Sequence, residues 1–361
     1  MVMFYGKISW VINMKYYMPD FYKNFKCTAD KCVDTCCKDW EIVIDEDTEK
    51  YYKSVCGILG EKLRNNIVTD SDGDRIFLLN DKKECPFLDK DRLCAIQKEL
   101  GENALCKTCR QYPKLTLDFT EFTEYMLSFA CPEAVRIIMK SKRFELCDIE
   151  PVSNEDNGYS NEMMNFLITA RKYTVKIFMS SDPFEKKLRE ALAYTEYVQE
   201  LLYNANFDIS LLDDIEFTLP EDIAVDRSFV FDLFSSLDIM DESFRIDIEN
   251  ARNCKIILSK EIEEDFCRQS LYYIGRYYLK AIETEDVISC LKSIWCAYVV
   301  ISSLIEYYNA TDDFERRVMI IEKYSREIEH SIENTEIMEN AFFTLPDFST
   351  VNLINTLTST K

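Results

Sequence analysis

The sequence predicts a mainly α protein in two parts: a small, irregular cysteine-rich metal-binding module with short strands, then an α-helical bundle. Three observations carry this. Eleven of the 15 cysteines fall before residue 150. Beyond it, apolar residues recur at three- and four-residue intervals, the helical period. The chain is 47% apolar and 30% charged with only 7 glycines and 8 prolines among 361 residues, which is a folded and helix-rich composition. The organisation that follows is a possible start-site extension over residues 1–13, because a second methionine stands at Met14; a cysteine-rich domain over 14–150; and an acidic helical domain over 151–361.

In the first part WEIVID reads as a brief β-like run. Within TDSDGDRIFLLND, the pair Asp72-Gly73 marks a plain turn beside another. It lacks the spacing and terminal glutamate of a calcium loop. DRLCAIQKELGE predicts a short helix ended near Gly101. EPVSNEDNGYSNE, residues 150–162, is polar and turn-rich and is expected to connect the two parts. Helical periodicity then runs from Met163 to Tyr203 with a break at Ser181-Asp182-Pro183. Leu271, Ile274, Tyr278 and Ile282 share one helical face. VISCLKSIWCAYVVISSLIEYY predicts a buried bundle helix, and DDFERRVMIIEKYSREIEHSIEN one last amphipathic helix.

The net charge of −22 argues against nucleic acid as a partner, since phosphate binding needs a basic face. The excess is uneven: 23 basic against 26 acidic residues in 1–150, and 20 against 39 afterwards. No apolar run is read as reaching the ~20 residues that span a membrane. The apolar opening MVMFYGKISWVIN has no small-residue cleavage site, so it does not read as a signal peptide. A reducing cytoplasm is the expected compartment, where clustered cysteines bind metal or do redox work more often than they pair.

CTADKCVDTCCKDW packs Cys27, Cys32, Cys36 and Cys37 into eleven residues. Cys85 and Cys94 flank PFLDKDRL, Cys106 and Cys109 sit in LCKTCRQYP, and Cys131 heads CPEAVR. These nine thiols are the candidate metal ligands. Thiolates two to four residues apart can converge on one ion, and distant pairs then clamp separate segments onto it. The one histidine, His330, is far away in sequence, so the site is expected to be all-sulfur or completed by oxygen or an exogenous ligand. That suits zinc and iron–sulfur clusters alike. Adjacent Cys36 and Cys37 cannot easily share an ion, so one is spare or serves a second site. Cys56 and Cys147 are expected to be ordinary buried thiols, and Cys254, Cys267, Cys290 and Cys296 to pack in helices.

The ordered series YYMPDFYKNFKC, C-x4-C-x3-C-C followed by Trp40, CPFLDKDRLCAIQKELGE, LCKTCRQYPK and SFACPEAVR resembles the flagellin lysine-N-methylases. Its CPFL…C…C…YP core is similar to a broader group of zinc- or iron-chelating cysteine domains. The resemblance runs more weakly into YYIGRYYLKA. It implies methyl transfer from S-adenosylmethionine to lysine side chains of flagellin, with a four-iron cluster involved. The residues alone leave room for a non-enzymatic chelating module or a redox protein.

Neither a Gly-rich loop after a strand nor the Cys-x3-Cys-x2-Cys spacing of common radical enzymes is present, so radical and polar transfer both stay open. A polar route needs a neutral amine and a proton acceptor in a dry site; Tyr112, Glu133 and Asp39 are candidates. Arg276, inside an apolar helix, needs a carboxylate partner. Its alternative use is to hold the carboxylate of S-adenosylmethionine.

Overall fold

The computed structural model describes residues 15–141, 146–153, 158–213, 215, 217, 225–256 and 258–357. The proposed extension, 1–13, lies outside them, as do residues 154–157 of the expected connection. Within that connection, both the N–H and the C=O of Val152 bond to the Asn165 side chain.

The first strand, β1 (Lys15–Tyr17), leads into the cysteine-rich stretch. There α1 (Glu46–Ser54) begins at Asp45, whose carboxylate accepts the Thr48 N–H. Then come α2 (Gly57–Asn65), the hairpin of β2 (Ile67–Thr69) and β3 (Arg75–Phe77), and α3 (Ala95–Leu100). Gly101, at φ 87°, ends α3 where the sequence places the stop. The Asp72-Gly73 turn joins β2 to β3. WEIVID supplies only a single bridge, Val43 to Ile76.

The chain then returns as a hairpin of β4 (Lys114–Phe119) and β5 (Phe122–Leu127). β1 lies parallel beside β5, so the sheet order is β1-β5-β4. The cysteine-rich stretch is thus an excursion whose two ends meet on one sheet. It has its own small core, built on Ile42, Tyr52, Leu63, Phe77, Phe87 and Ile96. β5 and the residues after it pack into a separate, larger core with the helices. Residues 114–140, grouped by composition with the cysteine-rich part, therefore belong physically to the helical body.

That body contains α4 (Pro132–Lys140), α5 (Asn161–Met179), α6 (Phe184–Tyr203), α7 (Glu242–Ala251), α8 (Lys260–Tyr277), α9 (Ile288–Tyr307) and α10 (Phe314–Tyr324). A five-residue π-turn, Ser325–Glu329, follows, then α11 (Ile332–Thr344) and α12 (Thr350–Thr356). The break between α5 and α6 falls at Ser180–Pro183, as the sequence predicts. Ser160, Ser259, Asp313 and Ser331 each cap a helix start by accepting a backbone N–H. The single last helix expected over 312–334 is instead two helices separated by the π-turn.

α9 corrects the reading that no run is long and apolar enough to span a membrane. It has 20 residues with a mean hydropathy of 1.8, and it is 94% buried inside the bundle. Its polar groups find partners there: Lys292 Nζ donates to the Phe342 carbonyl at 2.9 Å, and Trp295 Nε1 to Thr356 Oγ1 at 2.9 Å.

The hairpin is bolted to the bundle in two ways. Arg171 of α5 meets Glu124 of β5 through two hydrogen bonds, 2.8 and 3.1 Å, with both side chains buried. Gly275 lets α8 approach closely, since a Cβ there would stand 2.5 Å from Met126 Cε. Truncating one partner of a buried pair strands the other charge. Arg171→Met should therefore lower the unfolding free energy by roughly 3 kcal/mol or more. Adding Glu124→Gln should recover a large part of it, measured by urea denaturation.

Candidate metal centre and the cavity beside it

All nine candidate cysteines are free thiols, and they form one connected set. Cys94, Cys106 and Cys131 stand at the N-caps of helical segments, beside the first-turn amides. The Gln97 and Ile96 amides serve Cys94, and those of Ala134 and Glu133 serve Cys131. The set divides in two. Cys37, Cys85, Cys94, Cys106 and Cys109 sit on the small core of the excursion. Cys131, from the head of α4, neighbours Cys32 and Cys36, and Cys32 neighbours Cys27.

Cys36 joins the groups. It hydrogen-bonds Cys37 and is felt by Cys32, Cys94 and Cys131. The adjacent thiols of the sequence thus face opposite groups. Among the described residues, no three Cys, His, Asp or Glu side chains draw close enough as they stand to hold one ion.

With no positive charge among them, most of these thiols are held neutral. The hydrogen bond with Cys37 and burial push Cys36 well up. For Cys37, the bond to Cys36 pulls down, but its bond to Cys85, burial and Cys94 outweigh it, leaving it at about 12. Burial raises Cys131 to about 12 against the α4 amides. Cys106 runs the other way, lowered first by the hydrogen bond from Cys109. A bound cation would reverse the burial penalty, because the thiolate is the ligand form.

The remaining cysteines are mixed. Cys290 and Cys296 are buried in α9, while Cys147, Cys254 and Cys267 are half-buried. Cys56, expected to be buried, is exposed: it caps α2 at the surface of the excursion, away from the small core.

Cys36 opens on a cavity of about 380 Å³ between the excursion and the bundle, walled also by Trp40, Tyr112, Arg326, Glu327 and His330. Trp40 donates its indole N–H to the Cys36 carbonyl at 2.6 Å, and its ring lies 5.5 Å from that of Tyr112. Tyr112 donates to the Ala130 carbonyl. The opposite wall is the π-turn. Arg326 reaches across to the Asp34 carboxylate and to the carbonyls of Thr35 (3.1 Å) and Lys38, gripping the loop that carries Cys36 and Cys37. Glu322 lies 3.6 Å from the same guanidinium. Burial, with Asp34 nearby, pushes its carboxyl up to about 8.

His330 sits 2.8 Å from Ser128 Oγ. Its ring opens on the cavity, so solvent reaches it, yet the surrounding protein and the cations Arg276 and Arg326 lower it to about 4. It is the neutral imidazole at pH 7.

Of the candidate proton acceptors, only Tyr112 lines this cavity. Glu133 is engaged by Arg136, and Asp39 pairs with Lys38 at 3.4 Å in a left-handed turn. Arg276 has the carboxylate partner a buried arginine requires. Its Nη1 donates to Glu329 at 2.8 Å and to Tyr272, one residue behind His330. Sequence reasoning passed over Trp40, Arg326 and His330. The Ser331 cap signal would have located the helix break beside His330, because Ser331 Oγ takes the Asn334 N–H.

The molecule is thus a thiol-rich excursion docked on a mainly helical body, with a cavity between them. Over 126 residues the chain is 36% identical to the flagellar biosynthetic protein FliU of Salmonella muenchen, covering 34% of this chain and 75% of that protein. It is 35% identical, also over 126 residues, to the lysine-N-methylases of Salmonella choleraesuis and Salmonella typhimurium, again 34% of this chain but 31% of theirs. The chain belongs to the flagellin lysine-N-methylase family. The matched stretch spans about a third of those lysine-N-methylases. No family model and no solved structure matches the chain.

Two outcomes follow from this geometry. Arg326→Ala should release the 34–38 loop, so that its amides exchange and Cys36 alkylates faster, by roughly tenfold, as read by mass spectrometry. His330 binds its proton more weakly folded than unfolded, so the unfolded state takes up more protons between about pH 6.5 and 4. Stability should fall as pH drops through that window, and His330→Gln should flatten that part of the thermal-midpoint profile.

Proposed function

We propose that this chain is a cytoplasmic, iron–sulfur-dependent protein methyltransferase that transfers a methyl group from S-adenosylmethionine to lysine side chains of flagellin. The names of its relatives support the reaction class: one is a flagellar biosynthetic protein and two are lysine-N-methylases. The observation that carries the reading is Cys36. This one thiol touches both sulfur groups and also opens on a cavity walled by aromatic rings, the His330 imidazole, Arg326 and the acidic Glu41, Asp238 and Glu327.

The nine thiols fit a sulfur-ligated centre in kind. They are free, mutually adjacent and in part fed by helix N-terminal amides, and metal binding would let the crowded thiols ionise. Cys27, Cys32, Cys36 and Cys131 would hold one centre, and Cys37, Cys85, Cys106 and Cys109, with Cys94, a second. An iron–sulfur cluster supplies redox or Lewis-acid chemistry, and S-adenosylmethionine an activated methyl group.

The chain's own residues supply the rest. Trp40 and Tyr112 offer aromatic faces to a flat ring. His330, neutral and oriented by Ser128, can accept a proton in that cavity.

Anaerobically purified protein should be brown and contain iron and sulfide. With methyl-labelled S-adenosylmethionine and flagellin it should place label on lysine. Cys36→Ser should remove both metal and labelling, and Cys254→Ser neither. A colourless protein that holds zinc alone and transfers no label would overturn the proposal.

A further inference from the structure

His330 is the chain's one imidazole, and it lines the cavity at Cys36. It stands at the exit of the π-turn, and its residue is exposed. Among the described residues its ring makes a single hydrogen bond, to Ser128 Oγ at 2.8 Å. An exposed ring held at one point is only as well placed as the partner that holds it.

Ser128 is fully buried where the chain leaves β5. Its N–H donates to the Pro113 carbonyl at 2.8 Å, and its hydroxyl oxygen accepts the Ala130 N–H at 3.2 Å. These bonds set the serine within its own turn. They do not set that turn against the π-turn, which comes from a distant part of the chain.

The Tyr272 hydroxyl makes that connection. Tyr272, on α8, is fully buried; it accepts the Phe129 N–H at 3.3 Å and donates to Glu329 Oε2 at 3.0 Å. Phe129 follows Ser128, and Glu329 precedes His330. Burial pushes the phenol well above its ordinary value, so it keeps the proton that it donates. Arg276, one turn further along α8, donates to the same hydroxyl and to Glu329, and the network closes away from solvent. Tyr273 and Tyr277 also donate to Glu329, at 3.3 and 2.7 Å, but among the described residues neither bonds the Phe129 amide.

We infer that Tyr272 is a positioning residue for His330: its hydroxyl fixes the Ser128 turn against the exit of the π-turn, and so holds the imidazole on Ser128 in one tautomer. A hydroxyl fixed at Nε2 distinguishes an N–H there from a lone pair, whereas a free ring samples both forms. That His330 accepts a proton in catalysis rests on the methyl-transfer reading; that Tyr272 places its ring does not.

The test is ring-nitrogen NMR of the selectively labelled single histidine, on the full chain at about pH 8, where an ordinary histidine is neutral too. The tautomer ratio should differ about tenfold from that of the same chain in urea, the worth of one hydrogen bond. Tyr272→Phe keeps the ring, which stacks on Phe129 with centroids 3.6 Å apart, and deletes only the hydroxyl. It should bring the ratio to within about threefold of the urea value. Ser128→Ala should do the same, and adding Tyr272→Phe to it should change nothing further, because Tyr272 acts through that bond. Tyr273→Phe removes another hydroxyl from Glu329 and should leave the ratio where it is in the unaltered chain. A ratio in the unaltered chain equal to that in urea, no change in Tyr272→Phe, an equal change in Tyr273→Phe, or a further change in the double variant goes against the assignment. Should Tyr272→Phe not fold, the unaltered chain decides by hydrogen exchange. Its Phe129 amide should exchange as slowly as the amides of α8, and exchange as fast as an exposed turn would rule Tyr272 out.

Methyl transfer is assayed separately. Loss of the fixed tautomer in Tyr272→Phe with lysine labelling undiminished would keep Tyr272 in this role and remove His330 from the methyl-transfer reading. An unmoved tautomer ratio beside labelled lysine would do the reverse.

Discussion

The grip of Arg326 on residues 34–38 is the contact on which the rest of the arrangement depends. The loop it holds has little regular structure of its own, and it carries the two adjacent thiols that face different sulfur groups. A guanidinium can satisfy a carboxylate and two carbonyls at once because its donors are fixed in a plane, which a lysine cannot match. The side chain itself is half-buried, so these bonds form where water competes poorly. The excursion and the bundle have separate hydrophobic cores, and this polar contact, with α4 delivering Cys131, fixes one against the other.

Arg326 points where it does because the backbone leaves the α-helical register for one turn. The wider π-turn and the residue after it send four side chains to four different tasks. Arg326 crosses to the loop, and Glu327 accepts the Met240 and Asp241 amides. Glu329 collects three tyrosines and an arginine, and His330 turns to Ser128. Such turns recur at functional sites.

Much of the fold was legible because local chemistry dictates it. The stop at Gly101, the break before Pro183 and the long apolar helix all follow from backbone freedom or from period. The relations between distant segments were not. Nothing local tells Lys15–Tyr17 to lie beside Phe122–Leu127, and composition grouped that hairpin with the cysteines, although its side chains feed the larger core. α9 is apolar on all sides because the bundle surrounds it, a state that composition shares with a membrane span. His330 was set aside for its distance along the chain, which says nothing of distance in space. The thiols were legible as a group, and their division across Cys36 and Cys37 became visible only with the chain folded.

The excursion's return to the sheet it left has a consequence for the order of assembly. Because its two ends are anchored on the two outer strands of one sheet, with β5 between them, the body of the protein can form as a frame with the thiol-bearing loop hanging from it. The loop is then already tethered at both ends, and its freedom is far smaller than that of an open chain. Loading of a metal there would then be a late, local event on a finished scaffold, separable from the folding of the bundle that carries it.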